Sequence, residues 1–166
     1  MKKLILLTAL VCIMSSVRAQ DANMMKYGLN GGLGYAFGAN QGIGIGVGVE
    51  LDYNLTKTVP FGIFARLDLY HGQLVGTGGF SFSYVHELAA DRYLEFRGRL
   101  GGSILPDKTN PMLGMNIGLG IYYQKLLTKN TYFYIGPAFN GIFNGSTVQD
   151  NMQIIVLDGG IGFYLR

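Results

Sequence analysis

Apolar and polar residues alternate along most of this chain, and the alternation is sharpest where glycine fills the polar positions. In GIGIGVGVELDY (residues 42–53), isoleucine, valine, leucine and tyrosine share one parity, whereas the glycines, Glu50 and Asp52 share the other. The segments YGLNGGLGYAF (27–37) and LGMNIGLGIYYQ (113–124) repeat this pattern. Successive side chains of a β-strand point to opposite faces, so a period of two residues predicts strands rather than helices.

Eight segments of this kind follow one another along the chain. The predicted strands cover residues 26–37, 43–54, 61–71, 80–88, 94–105, 112–124, 131–143 and 152–165. Pro137 makes the seventh segment less regular. Residues 85–99 contain good helix formers, so a helix is the alternative there. The connections are short and rich in turn residues, as in GANQG, TKTVP, GQLVGTGG and PDKTN, which favours an antiparallel meander.

The two faces of these strands predict their environment. The glycine-rich parity carries the charges of the strand cores, whereas the other parity is uncharged, aliphatic in mid-strand and aromatic toward the strand ends. An apolar band between aromatic girdles, with polar residues on the reverse face, is typical of a barrel that faces lipid. We therefore predict an all-β fold, an eight-stranded antiparallel up-and-down transmembrane β-barrel. A secreted soluble barrel that binds a small ligand is an alternative.

The polar parity predicts what fills the barrel. Eight strands enclose a lumen just wide enough for side chains, and the glycines leave room for large groups from the opposite wall. The predicted charge network consists of Glu50, Asp52, Arg66, Asp68, Glu95, Arg97, Arg99 and Asp158. Charges away from bulk water are costly unless paired, so arginines and carboxylates should join and plug the lumen. With Glu87, six acids face three arginines, so a hydrated cation pathway is the competing interpretation.

The N-terminal residues predict export. Lys2 and Lys3 precede an apolar run from Leu4 to Met14, and Ala19 ends the layout of a cleavable secretory signal. An uncleaved transmembrane anchor would need about 20 apolar residues. Residues 1–19 are thus the predicted signal peptide and residues 20–166 the predicted barrel domain. Of the 13 Lys and Arg residues, three leave with the signal and 10 face 10 acidic residues, so nothing in the charge indicates nucleic acid as a partner.

The C-terminal segment DGGIGFYLR carries a motif. A polar residue, a glycine and two apolar residues stand at the spacing of the C-terminal assembly signal of outer-membrane β-barrels: Asp158, Gly160, Phe163 and Leu165. With the predicted signal peptide and strands, the chain resembles the small barrels of the outer membrane protein A and outer membrane protein X type. The resemblance implies the cell outer membrane as location, outer-membrane lipid as surroundings, both termini in the periplasm, and the barrel-assembly machinery as partner during insertion.

The candidate chemistry is sparse. The glycines keep strand parity and match no phosphate-binding loop. Ser81, Ser83, His86 and Glu87 could suggest hydrolysis, and the resemblance allows a lipid A-modifying enzyme, but His86 has the opposite parity to both serines. His71 and His86 are too few to indicate a metal site, and no cofactor is expected. We expect a non-enzymatic envelope protein with a structural or interaction role. A lipid A-modifying enzyme and a narrow solute pathway are the alternatives, and the sequence identifies no protein partner.

Overall fold

The chain forms eight strands in the order of the sequence. The structure, a computed structural model, describes residues 24–38, 41–105, 112–143 and 151–165. The strands are β1 (Met25–Gly38), β2 (Gly42–Asn54), β3 (Pro60–Tyr70), β4 (Gln73–Ala89), β5 (Arg92–Leu105), β6 (Met112–Leu126), β7 (Thr131–Phe143) and β8 (Met152–Leu165). The predicted signal peptide, residues 1–19, lies outside the described residues.

These strands close into a barrel. Each one pairs antiparallel with the next, and β8 returns to pair with β1 from Met25–Leu165 to Gly38–Met152. The predicted fold, an eight-stranded antiparallel up-and-down barrel, is confirmed. The helical alternative for residues 85–99 is wrong, because these residues form the end of β4, a tight turn at Ala90 and Asp91, and most of β5.

The fourth strand is longer than the sequence predicts. It begins at Gln73 rather than near residue 80, so the segment GTGG lies within the strand and not in a loop. The turn is instead the pair His71-Gly72, whose φ angles are 47° and 79°. Two consecutive residues with positive φ are the mark of the tight hairpin turn whose twist matches that of the flanking strands.

Pro137 lies inside β7 without ending it. The ladder between β6 and β7 is interrupted there, since pairing passes from Gly120–Ala138 to Tyr123–Ile135. Proline has no N–H to donate, so a gap in the ladder is where a strand tolerates it best.

The outer face of the barrel is apolar, and aromatic pairs lie near both ends. We call the end where β1 begins and β8 finishes the terminal end, and the other the far end. Tyr27 and Phe163 stack at the terminal end with ring centroids 5.1 Å apart, and Tyr35 and Phe37 meet at 4.8 Å toward the far end. Within the described residues, no helix is long and apolar enough to span a bilayer.

Candidate functional site

The inner face of the barrel changes character along its length. An apolar layer occupies the far end: Ala36, Tyr70, Val75, Leu105, Ile142, Met152 and Ile154. A tyrosine cluster lies toward the terminal end: Tyr122, Tyr132, Tyr134 and Tyr164. Charged side chains fill the space between and beside these layers, and the candidate site is this charged group.

Lys26 and Arg97 hold the part of the group nearest the terminal end. The Nζ atom of Lys26 lies 3.3 Å from Glu95 and 3.5 Å from Asp52. Arg97 donates to Glu95, with Nη2 2.6 Å from Oε1, and also donates to Glu50. Two cations thus pair with three carboxylates on β2 and β5.

Arg99 and Arg66 continue the group toward the far end. Arg99 donates to the second oxygen of Glu50, and its Nη1 lies 3.9 Å from Asp158. Arg66 donates to the same Asp158 at 2.9 Å and to Asp68 at 2.8 Å. Asp158 on β8 therefore joins the arginines of β3 and β5.

The structure brings all eight residues of the predicted charge network into this one connected group, and Lys26 is a ninth member that sequence reasoning missed. We call these nine side chains the lumen network; none is more than 5% exposed. The sequence pattern was sufficient to place Lys26 in the lumen, because Lys26 shares its parity with the inward-facing Gly28. Glu87, also predicted as a lumen acid, is only half-buried near the terminal end, and no ion pair joins it to the described network.

Neutral side chains complete the lumen network. Ser81 on β4 donates to Asp52 at 2.7 Å, Asn30 on β1 accepts from Arg66 at 3.3 Å, and Gln124 on β6 donates to Glu95. The guanidinium of Arg97 lies 5.2 Å from the ring centre of Tyr122 and 5.6 Å from that of Tyr134 on β7. Every strand of the barrel therefore contributes a side chain to the charged group or its immediate partners.

Glycines on the inner wall make this crowding possible. A Cβ atom added at Gly44 would lie 2.2 Å from the ring of Tyr70, and one at Gly46 would lie 1.8 Å from the carboxylate of Asp68. Another at Gly162 would lie 2.1 Å from the ring of Tyr132. Gly44 and Gly46 thus leave room for large lumen side chains as expected, and Gly162 does the same, but at all three positions the side chain comes from the paired residue of the adjacent strand rather than from the opposite wall.

The possible hydrolytic residues do not converge. Ser81 and Ser83 are buried in the lumen, and Ser81 is engaged with Asp52. His86 has the opposite parity on β4 and pairs in the ladder with the half-buried Leu94. The described residues also hold no group of three or more His, Cys, Asp or Glu side chains placed to bind a metal ion.

The residues of the predicted assembly signal lie on both faces of β8. Asp158 belongs to the lumen network, whereas Phe163 stacks on Tyr27 and Leu165 is exposed on the outer face. A Cβ atom added at Gly160 would lie 2.1 Å from the carbonyl oxygen of Leu29, so this position has no room for a side chain. Their role in assembly stays a prediction.

Comparisons with known proteins give matches in structure. No protein-family model matches the sequence, and no curated protein matches it. Neisserial surface protein A matches with a TM-score of 0.66 at 13% identity, covering 84% of this chain and 96% of that one. The N-terminal β-barrel domain of Pseudomonas aeruginosa OprF matches with 0.55 at 16% identity, covering 88% and 100%. Ail, the attachment invasion locus protein of Yersinia pestis, matches with 0.53 at 9% identity, covering 87% and 99%. The chain therefore has the fold of the small eight-stranded outer-membrane β-barrels.

Proposed function

We propose that this protein is a non-enzymatic integral β-barrel of the cell outer membrane, with a structural or interaction role and a lumen closed by its own side chains. In this proposal the signal peptide is cleaved after Ala19, the barrel-assembly machinery inserts the chain, and both termini face the periplasm. The fold and the apolar outer face support the membrane location, because a barrel satisfies all backbone groups internally and can therefore reside in lipid.

The lumen network is the single observation that supports a closed lumen. Its ion pairs run without a break from Asp52 through Lys26, Glu95, Arg97, Glu50, Arg99 and Asp158 to Arg66 and Asp68. The space between Arg97, Arg99, Tyr122 and Asn140 leaves no volume for a water molecule. In this proposal, an ion would have to separate these pairs and then cross the apolar layer at the far end.

The competing hydrated cation pathway loses support because Lys26 joins the network. Four cations now face five carboxylates, so the surplus of acid is smaller than the sequence indicates. Breaking a buried ion pair by removing one partner typically costs about 3–5 kcal/mol, since the remaining charge stays buried without compensation. A lumen that relies on such pairs for stability is suited to closure rather than to conduction.

Planar-bilayer recordings combined with unfolding of Arg99→Ala test the closed lumen. We expect no steady current through the wild-type protein, and a free energy of unfolding lowered by about 3–5 kcal/mol in Arg99→Ala. Lys57→Ala is the control, because Lys57 lies outside the lumen network in the exposed turn between β2 and β3. A steady cation current, with Arg99→Ala as stable as the control, would overturn the proposal.

Fractionation and gel migration test the membrane location. Extraction should require detergent, and the unheated protein should migrate differently from the heated one, since a folded barrel resists unfolding by detergent. Recovery from the soluble periplasmic fraction would favour the secreted, ligand-binding barrel instead. Incubation with lipid A should leave its acyl chains unchanged; deacylation or palmitoylation would refute the non-enzymatic role.

A further inference from the structure

Among the described residues, the charged side chains outside the lumen network all lie at one end of the barrel. Within the described residues, four cations lie outside the lumen network, all at the terminal end: Lys57, Arg92, Lys125 and Lys129. Two acids accompany them, Glu87 and Asp91. The described part of the far end carries no charged side chain. The described part of the terminal end is therefore basic, whereas the described part of the far end is neutral.

Two of these cations directly oppose each other. Arg92, the first residue of β5, pairs in the ladder with Lys125 of β6. Both have the outward parity, because their neighbours Tyr93 and Gln124 are buried in the lumen. Like charges directly opposed across a pair of strands destabilise the sheet unless something between them carries the opposite charge.

The described residues supply only part of that opposite charge. Asp91 lies 3.5 Å from Arg92, and both side chains are about half exposed to solvent, so this pair is weak. Lys125 makes no ion pair with any described residue. Lys129 follows in the turn between β6 and β7 and adds a third cation to the same corner. The corner formed by Arg92, Lys125 and Lys129 therefore has an unmatched positive charge.

Its depth on the outer wall matches that of lipid headgroups. Lys125 pairs across the ladder with Phe133, whose ring lies 6.2 Å from that of Tyr123. Aromatic rings of this kind mark the boundary between hydrocarbon and headgroups in membrane proteins. Basic side chains just outside such a belt face the phosphates of the adjacent leaflet.

An apolar groove lies farther along the same strands, toward the middle of the barrel wall, and begins at Phe96 and Ile121, two ladder steps beyond Leu94 and Tyr123 from the corner. The groove has a volume of about 780 Å³, extends onto β4 and β8, and its lining on β5, β6 and β7 includes Phe96, Gly98, Leu119, Ile121, Pro137 and Phe139. From Arg92 to Phe96 the strand rises roughly 13 Å at about 3.3 Å per residue. That distance lies within the thickness of one leaflet of hydrocarbon, which is half of about 30 Å. An acyl chain attached at the corner is therefore long enough to reach the groove.

We propose that Arg92 and Lys125, assisted by Lys129, bind the phosphate of an anionic phospholipid whose acyl chain lies in this groove. The proposal rests on the membrane location proposed above. A phosphate between the two side chains converts a repulsive cross-strand pair into two charge-assisted hydrogen bonds. The groove farther up the wall accommodates the hydrocarbon chain of such a lipid, which a free phosphate ion lacks, so the observations favour a phospholipid over a soluble anion.

Native mass spectrometry of the full folded chain in neutral detergent tests the site. The probes are phosphatidylglycerol, phosphatidylcholine with the same acyl chains, and inorganic phosphate. We expect preferential retention of phosphatidylglycerol, and an apparent affinity lower by about fivefold for each charge removed in Arg92→Gln and Lys125→Gln. Lys57→Gln is the matched control, since Lys57 lies at the same end in the turn between β2 and β3. Gel migration of unheated samples verifies that each variant is folded.

The outcomes separate this proposal from the one on which it rests. Equal retention of the two lipids by the wild type, or an equal loss of phosphatidylglycerol in all three variants, would overturn the phospholipid site alone. Inorganic phosphate bound as well as phosphatidylglycerol would also overturn it, in favour of a simple anion site. A folded wild type that retains no lipid at all would overturn the site, whereas failure of the membrane location would show separately, as recovery of the protein from the soluble fraction.

Discussion

The Nζ atom of Lys26 lies 3.3 Å from a carboxylate oxygen of Glu95, although the two residues are 69 positions apart on strands β1 and β5, which do not pair. In a barrel of eight strands these two strands lie on opposite walls. The contact therefore crosses the lumen. Both side chains are fully buried, so neither charge has water as an alternative partner.

Replacement of Lys26 by methionine should destabilise the barrel strongly. Methionine fills a similar volume but leaves Glu95 and Asp52 without this cation, which we expect to lower the free energy of unfolding by about 3–5 kcal/mol. Denaturant titration of the protein in detergent micelles gives this value. Lys57→Met, in an exposed turn, should change it by no more than about 0.5 kcal/mol. Similar effects of the two substitutions would mean that Lys26 is solvated rather than paired in the lumen.

Gly44→Ala should also destabilise, but through packing. The added methyl group would lie 2.2 Å from the ring of Tyr70 and 2.4 Å from the carbonyl oxygen of Leu69. Overpacking of this kind typically costs about 1–3 kcal/mol. Gly31→Ala on the outer face of the same hairpin is the control, because its nearest neighbouring atom would be at 3.5 Å. Unfolding curves that coincide for the two variants would contradict the crowded inner wall.

Arginine at position 47 tests which face of β2 meets lipid. Val47 is 63% exposed on the outer face near the middle of the strand. In a bilayer we expect Val47→Arg to cost about 2–4 kcal/mol, whereas Leu55→Arg, just beyond the end of β2, should cost no more than about 1 kcal/mol. Folding equilibria in lipid vesicles measure both. Arginine tolerated equally at the two positions would argue against hydrocarbon around the middle of the barrel.

The role of the C-terminal motif in assembly can be tested separately from its contribution to the stability of the barrel. We expect Phe163→Ala to impair insertion by the barrel-assembly machinery more than spontaneous folding into detergent, because recognition of the motif matters only for the former. Phe61→Ala is the control, since Phe61 likewise stacks on an aromatic ring, that of Phe80, at 5.9 Å. Deletion of residues 163–166 should abolish insertion, because it also removes the pairing of Tyr27 with Phe163. Normal insertion of the deletion variant would disprove the assembly role.

The strands were predictable because the polar lumen on one side and the apolar surroundings on the other impose a strict period of two on the sequence. The exception is the start of β4, where glycines at 76, 78 and 79 resemble a loop in composition. Gly79 instead faces Gly101 across the ladder, and an added Cβ atom would lie 2.5 Å from the Cα of Gly101. Composition alone does not distinguish a glycine that allows a turn from one that allows two strands to approach closely.

The lumen network was predictable in membership but not in most of its connections. Arg97 pairs with Glu95, two residues away, which follows directly from alternation along one strand. The pairing of Arg66 with Asp158 joins positions 92 residues apart. That contact depends on the tilt and stagger of the strands, which are properties of the closed barrel. Residue parity identifies which side chains enter the lumen, but only the shear of the barrel decides which of them meet.

The wide sequence separation of these contacts has a consequence for how the chain folds. Within the described residues, the ion-pair partners of Glu50 on β2 are Arg97 and Arg99 on β5, and Arg66 on β3 reaches Asp158 on β8. A sheet of the first four strands alone would therefore hold Glu50 without its cationic partners and Arg66 with Asp68 but without Asp158. Such a fragment gains little from leaving water, so partly built barrels should be sparsely populated and closure of β8 on β1 should be a late, cooperative event. The rate of folding is then set by loop closure over the whole chain rather than by the formation of individual hairpins.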